Sequence, residues 1–223
     1  MSLSTRSLGA GLLLAALAGV AQAQRRELAS DNPQARLMGY YAAVMQFTPV
    51  GMPAAGSQFE LGGELSYIPS LSAQDRLVGF GGLKAEQTNF CPVLPRLRAA
   101  RSFGAVALEA GYVPPLRVCG VTAHLFAAAL ARRFTLAPSW GAALRASVLG
   151  GVLGGAITCG ADAVADPADL TCFGGTTSDD KVRPLAFALD GVVTYAGWRG
   201  RRLEPYLMVG VRHERVGFDV NYV

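Results

Sequence analysis

The chain has 223 residues, of which 51% are hydrophobic and 27 are glycine, and its 20 lysines and arginines stand against 16 aspartates and glutamates for a net charge of +4. A balance this even, with no basic run longer than two residues, excludes a dedicated nucleic-acid surface, which needs a basic patch or stripe. No stretch after residue 23 offers the roughly 18 consecutive apolar residues of a transmembrane helix, so a helical span is excluded while a membrane protein built from strands is not.

The first 23 residues read as a secretory signal peptide. Arg6 precedes the uncharged run from Leu8 to Val20, and Ala21, Gln22 and Ala23 supply the small-residue site after which cleavage is expected. A retained anchor is the alternative, but this apolar run is shorter than the about 20 residues that cross a bilayer as a helix. Residues 24–36 start with polar Gln24, Arg25 and Arg26 and are expected to form a separate N-terminal segment, leaving one domain over residues 37–223. Export puts Cys91, Cys119, Cys159 and Cys172 in an oxidising compartment, where disulfides outrank metal or nucleophile roles, and no C-x-x-C pair is present.

From residue 37 onward the recurring signal is a period of two, the mark of a strand with one face covered. Leu37 to Phe47, rich in Tyr and Val, is the first strand expected. In the second, Phe59, Leu61, Gly63, Leu65 and Tyr67 alternate with Gln58, Glu60, Gly62, Glu64 and Ser66. Arg96 to Arg101 alternates arginine with apolar residues, and Val106, Leu108, Ala110 and Tyr112 then oppose Ala105, Ala107, Glu109 and Gly111. Val121 to Arg133 and Trp140 to Leu153 are rich in Ala, Leu and Gly and read as strands or as helices, since alanine is the best helix former. Gly150, Gly151, Gly154 and Gly155 favour strands, as does the alternation of His124, Phe126, Ala128, Leu130 and Arg132 with alanines and Leu125. Leu185 to Tyr195 and Tyr206 to Arg212 complete a set of eight. Two strands end on one phrase, Glu64 to Leu71 (ELSYIPSL) and Glu109 to Leu116 (EAGYVPPL). Pro69 and Pro114 stop the ladder there, because proline has no N–H to donate, and leave Tyr67 and Tyr112 at strand ends.

The connections alternate in length. Those at residues 101–104, 135–139 and 196–202 are short, whereas 70–94, 114–120 and 156–183 are mostly longer. Cys159 and Cys172 fall inside the longest, while Cys91 and Cys119 flank the hairpin from Arg96 to Pro114. The preferred pairing is therefore 91 with 119 and 159 with 172, among three possible. The long loop also holds Asp162, Asp166, Asp169, Asp179 and Asp180, but without the spacing of a calcium loop it reads as a solvated acidic segment. His124 and His213 are the only histidines, and there is no H-E-x-x-H, G-x-S-x-G or phosphate-binding glycine loop. No catalytic residue, metal or cofactor is expected.

With its signal peptide, alternating strands, tyrosines at strand ends and short turns opposite long loops, the stretch from about residue 36 to 223 resembles the broad class of small bacterial outer-membrane β-barrel proteins, of the porin-like kind. The resemblance implies an all-β, antiparallel, up-and-down transmembrane barrel in the outer membrane, surrounded by lipid. Turns and residues 24–36 would be periplasmic, loops outside, and Tyr67 and Tyr112 at the lipid–water interface. A soluble sandwich or lipocalin-like barrel also has period two. Against it stands an apolar face opposite the charged one on each strand, because the outward face of a soluble barrel would be polar.

The inward face then carries Glu60, Glu64, Arg96, Arg98, Glu109, Arg132, Arg145, Asp190, Glu204 and Arg212. These acids and bases, equal in number, either hold the barrel as an internal salt-bridge network or line a mixed-charge pore. The expected function is a non-enzymatic, porin-like channel for small solutes. The alternative is a closed structural or adhesive barrel presenting disulfide-braced loops to an extracellular partner, and a third reading is a soluble periplasmic β-domain. Eight strands counted from Leu37 would put both ends of the set outside the cell. Such barrels have an even strand number and periplasmic termini, so either C-terminal strands lie past Val223 or a further strand lies in Gln24 to Arg36 with its partner past the end, and a parent of ten or twelve strands is expected.

Overall fold

The computed structural model describes residues 28–29, 31–50, 56–79, 82, 84–87, 92–196 and 205–220. Its first element is a helix, α1 (Pro33–Val44), where a strand from Leu37 to Phe47 was expected. The expected boundary after residue 36 falls inside this helix. Local chemistry accounts for the correction: the Asn32 side chain accepts a hydrogen bond from the Gln34 backbone N–H at 2.9 Å, and Pro33 occupies the first turn, where its missing N–H has no partner to lose. Leu37, Tyr41 and Met45, four residues apart, form one buried stripe.

Beyond α1 the chain is mostly antiparallel sheet. In order come β1 (Phe59–Tyr67), α2 (Ala73–Arg76), β2 (Leu77–Gly79), β3 (Lys84–Ala85), β4 (Val93–Phe103), β5 (Val106–Val113), β6 (Arg117–Val118), β7 (Val121–Ala137), β8 (Trp140–Gly155), α3 (Ala161–Ala165), β9 (Asp180–Tyr195) and β10 (Tyr206–Asp219). The main sheet runs β1-β4-β5-β7-β8-β9-β10, with β6 beside β7, while β2 and β3 form a separate hairpin. Both alanine-rich segments are strands, β7 of 17 and β8 of 16 residues. Gly151 shows why glycine recurs in β8: with φ at 148°, a Cβ there would lie 2.2 Å from the His124 carbonyl oxygen of β7. Cys119 (φ 49°) and Gly120 (φ 81°) fill the two-residue turn joining β6 to β7, and positive φ at both positions is what a type I′ hairpin requires.

The period-two faces separate as the sequence implies. Inward positions such as Ala107, Leu125, Ala131, Leu149 and Val192 are buried, while outward Leu61, Leu108, Leu130, Phe187 and Val209 are exposed. A flat sheet of seven long strands at about 4.8 Å spacing would be about 29 Å wide. Yet Leu94 of β4, Val113 of β5, Leu125 of β7, Leu153 of β8 and Val182 of β9 share one core with Leu37 and Tyr41 of α1, and Phe218 of β10 packs against it. The sheet is therefore rolled around α1. Among the described residues β1 and β10 do not pair with each other, so the roll is open along that seam.

Candidate functional site

Helix α1 lies across the concave side from the loop end inward. The Tyr40 hydroxyl donates to the Pro69 carbonyl just past β1, and Gln34 Nε2 donates to the Val78 carbonyl of β2 at 3.3 Å. At the opposite, short-turn end Gly56 forms a bridge with Gly104. Between these ends residues 45–48 pass along the sheet, and their carbonyls are taken up by arginines. Arg96 donates to Met45 O at 2.7 Å and Gln46 O at 2.8 Å, Arg145 to Phe47 O at 3.0 Å, and Arg98 to Thr48 O at 2.5 Å. A backbone segment without its own ladder thus satisfies its acceptors on side chains, which burial demands.

Phe47 is the centre of the arrangement. Its ring is buried, and the guanidinium carbons of Arg98, Arg145 and Arg96 stand 4.3, 4.7 and 5.6 Å from its centroid. Gly111 on β5 makes room for it, since a Cβ there would approach the ring to 2.7 Å. The arginines are in turn held by carboxylates across the roll. Glu64 meets Arg96 at 2.8 Å and Arg98 at 3.2 Å, Glu109 meets Arg145 at 3.0 Å, and Asp190 meets Arg145 at 3.1 Å and Arg212 at 3.9 Å. Gln46 spans to β10, where its Nε2 donates to Glu214 at 3.2 Å and its Oε1 accepts from Arg212. Arg96, Arg98, Arg145 and Arg212 thus meet the carboxylates of Glu64, Glu109 and Asp190, and Gln46 links Glu214 to the set. Arg145 and Asp190 are almost wholly buried, and buried charges are tolerated only when paired and hydrogen-bonded.

Seven of the ten residues expected to line the interior join this network: Glu64, Arg96, Arg98, Glu109, Arg145, Asp190 and Arg212. Glu60 is on the inward face of β1 but is exposed and makes no ion pair among the described residues. Arg132 is a correction. It is exposed on the outward face of β7, where its guanidinium stands 5.4 Å from the ring of Phe134, two residues along. The inward face of β7 instead buries Ala123, Leu125, Ala127, Ala129 and Ala131. Glu204 lies outside the described residues. Three partners were missed: Glu214 has the inward parity of β10 and was legible, whereas Gln46 and Phe47 sat in a segment read as a strand.

At the loop end Cys159 and Cys172 form the expected disulfide, with sulfurs 2.06 Å apart. Cys119 is also disulfide-bonded, and Cys91 lies outside the described residues. Lys84 of β3 reaches into this cap, its Nζ 2.8 Å from Cys172 Sγ and donating to the Thr158 carbonyl. Buried Asp180 accepts from the backbone N–H of Ile157 at 3.0 Å and Thr158 at 2.6 Å, and from Ser178 Oγ at 2.8 Å. Burial pushes the Glu86 carboxyl up to about 7, opposed by Lys84 and reinforced by Asp180 and Asp169. The other aspartates of the acidic loop make no metal-ligating group among the described residues.

On the outward side Tyr67 ends β1, and Tyr112 near the end of β5 stacks on Phe126 at 4.9 Å. Near the short turns Trp140 and Tyr195 meet at 4.9 Å. Aromatic rings thus sit toward both ends of an outward band of exposed Leu, Val and Phe. No helix among the described residues is long and apolar enough to cross a membrane. Comparison of the chain with protein-family models, with curated proteins and with solved structures gives no match.

Proposed function

We propose that this chain is a lipid-embedded outer-membrane β-barrel protein whose interior is closed by its own N-terminal segment and whose disulfide-braced loops face outward. The observation that carries the closed reading is the Phe47 ring held among Arg96, Arg98 and Arg145 on the concave face, where a solute path would have to run. The lipid reading is supported by the outward band: exposed Leu61, Leu65, Leu97, Leu108, Leu130, Leu144, Phe187, Val209 and Val211 lie on seven strands. A contiguous apolar surface of this extent is unusual on a soluble monomer. Arg101 and Arg132 near the short turns and Lys181 and Arg183 near the loops flank the band, where long cationic side chains reach water. The protein then serves as a scaffold for its loops, and the charges on its inner face hold that scaffold together.

The porin-like channel for small solutes is the second reading. It is favoured by the mixed-charge inner face, and it requires residues 33–48 to leave the interior. Planar-bilayer recording of the reconstituted protein tests the choice. The closed barrel gives no stable conductance steps above the lipid baseline, whereas regular steps at low voltage would establish the channel.

A further inference from the structure

We propose that the seam between β1 and β10 is an acceptor for one further β-strand, an extended amphipathic polypeptide segment running antiparallel to both edges. The argument starts from direction. Each of the six pairings from β1 through β4, β5, β7, β8 and β9 to β10 is antiparallel, so β1 and β10 run the same way. The two edges therefore cannot complete an antiparallel ladder with each other. A single strand running against them completes both. For the same reason a second copy is a poor occupant: in copies that share one orientation, β1 of one and β10 of the other run parallel.

Both edges are long, nine residues in β1 and 14 in β10, and among the described residues their outer N–H and C=O rows have no strand partner; rows of that length template pairing with another chain. Side-chain exposure points to the same seam. Inward positions are buried in the middle strands, as at Leu125, Ala131 and Val192, but exposed at both edges, as at Glu60, Gly62, Gly210 and Arg212. The gap is set by the strap behind it, since Gln46 is bonded to Arg96 of β4 on one side and to Glu214 of β10 on the other.

The chemistry of the occupant follows from the alternation beside it. Its outward residues continue the apolar band between Leu61 and Leu65 on β1 and Val209 and Val211 on β10. Its inward residues are small next to Gly210, where Asp190 fills the space that a Cβ would need. A cation opposite Glu60 supplies an ion pair that this carboxylate does not make among the described residues. The inference stands on strand direction and pairing, so it holds apart from the lipid assignment.

The probe is a synthetic nine-residue peptide alternating leucine with serine and carrying one central lysine, matched in length to β1. Hydrogen–deuterium exchange of the full chain in detergent micelles is read over residues 59–67 and 206–219, with and without the peptide. The expected result is a slowing of roughly tenfold or more at alternate amides of both segments. The same peptide with proline at alternate positions should produce none. Slowing in neither segment, or in only one, overturns the proposal. Slowing that appears without peptide and grows with protein concentration also overturns it, in favour of pairing between copies. Detergent dependence of solubility is scored separately, so failure of the lipid reading is distinguishable from failure of this one.

Discussion

Replacing Phe47 with alanine removes the ring that three arginines enclose, and the cost can be worked from its surroundings. Phe47 retains 4% of its exposure, and truncating a buried phenylalanine typically costs about 3–5 kcal/mol. Part of that loss is the cation–π contact with guanidinium groups at 4.3, 4.7 and 5.6 Å, which for buried cations such as Arg96 and Arg145 reaches about 2 kcal/mol. The arginine bonds to the carbonyls of residues 45–48 remain, each contributing about 1.5 kcal/mol or more because the donors are charged. The segment should stay docked in most molecules but detach far more often. A loss of about 3 kcal/mol multiplies the detached population roughly a hundredfold. Hydrogen exchange over residues 33–48, measured in detergent, should therefore accelerate by at least tenfold if opening is local. The exposed loop residue Phe173 serves as control, and Phe173→Ala should leave this segment unchanged. Exchange within threefold of wild type in Phe47→Ala, with the rest of the sheet unaltered, would refute the view that this ring closes the interior.

Further expectations follow from the neighbours of this site. Gly111→Val drives side-chain atoms into the Phe47 ring and should destabilise by about 1–3 kcal/mol, and Phe47→Ala in the same chain should recover most of the loss, which a double-mutant cycle by denaturant titration would measure. Paired Cys159→Ser and Cys172→Ser substitutions remove a loop closure of about 3 kcal/mol. Protease nicking between residues 160 and 178 should rise sharply while the strands keep their far-ultraviolet signal. The Glu86 carboxyl is raised from 4.5 to about 7, chiefly by desolvation, so the folded cap binds the proton more tightly than the unfolded chain does. Its contribution to stability is present below pH 4.5 and is lost as pH rises through about 7. Protease resistance of the cap should fall over that window in wild type and stay flat in Glu86→Gln, and an equal fall in both would remove Glu86 as the cause.

The alternating strands were legible because each of their faces is chemically uniform. Phe59 to Tyr67 and Leu185 to Tyr195 put apolar residues on one parity and polar or small ones on the other, and in the second the observed burial follows that division, while the first, at the edge of the sheet, is exposed on both faces over most of its length. β7 broke the rule that charge marks the inward face. Where Phe47 packs against it the inner surface is alanine, Ala127 and Ala129, and Arg132 shares the outer face with Phe126, Leu130 and Phe134. The carboxylates and arginines of the inner face could be read as one set, but not which of them meet. Arg145 and Glu109 are 36 residues apart, and the roll of the sheet decides their contact. Helix α1 was hidden by Tyr and Val content that suits a strand, although Asn32, Pro33 and the spacing of Leu37, Tyr41 and Met45 carried the signal of a capped helix. Phe47 had no local signal at all, since the groups that define it come from β4, β5 and β8.

The claim on which the account rests is that the outward apolar face meets lipid. Trp140 is exposed on that face, close to the short turns. With Trp198 changed to phenylalanine it becomes the sole tryptophan reporter. In vesicles of phospholipid brominated along the acyl chain, the account predicts strong quenching of Trp140, greatest for bromines near the headgroup end, where aromatic belts lie. Emission unchanged between brominated and ordinary lipid, together with recovery of the folded protein in buffer without detergent, would contradict it.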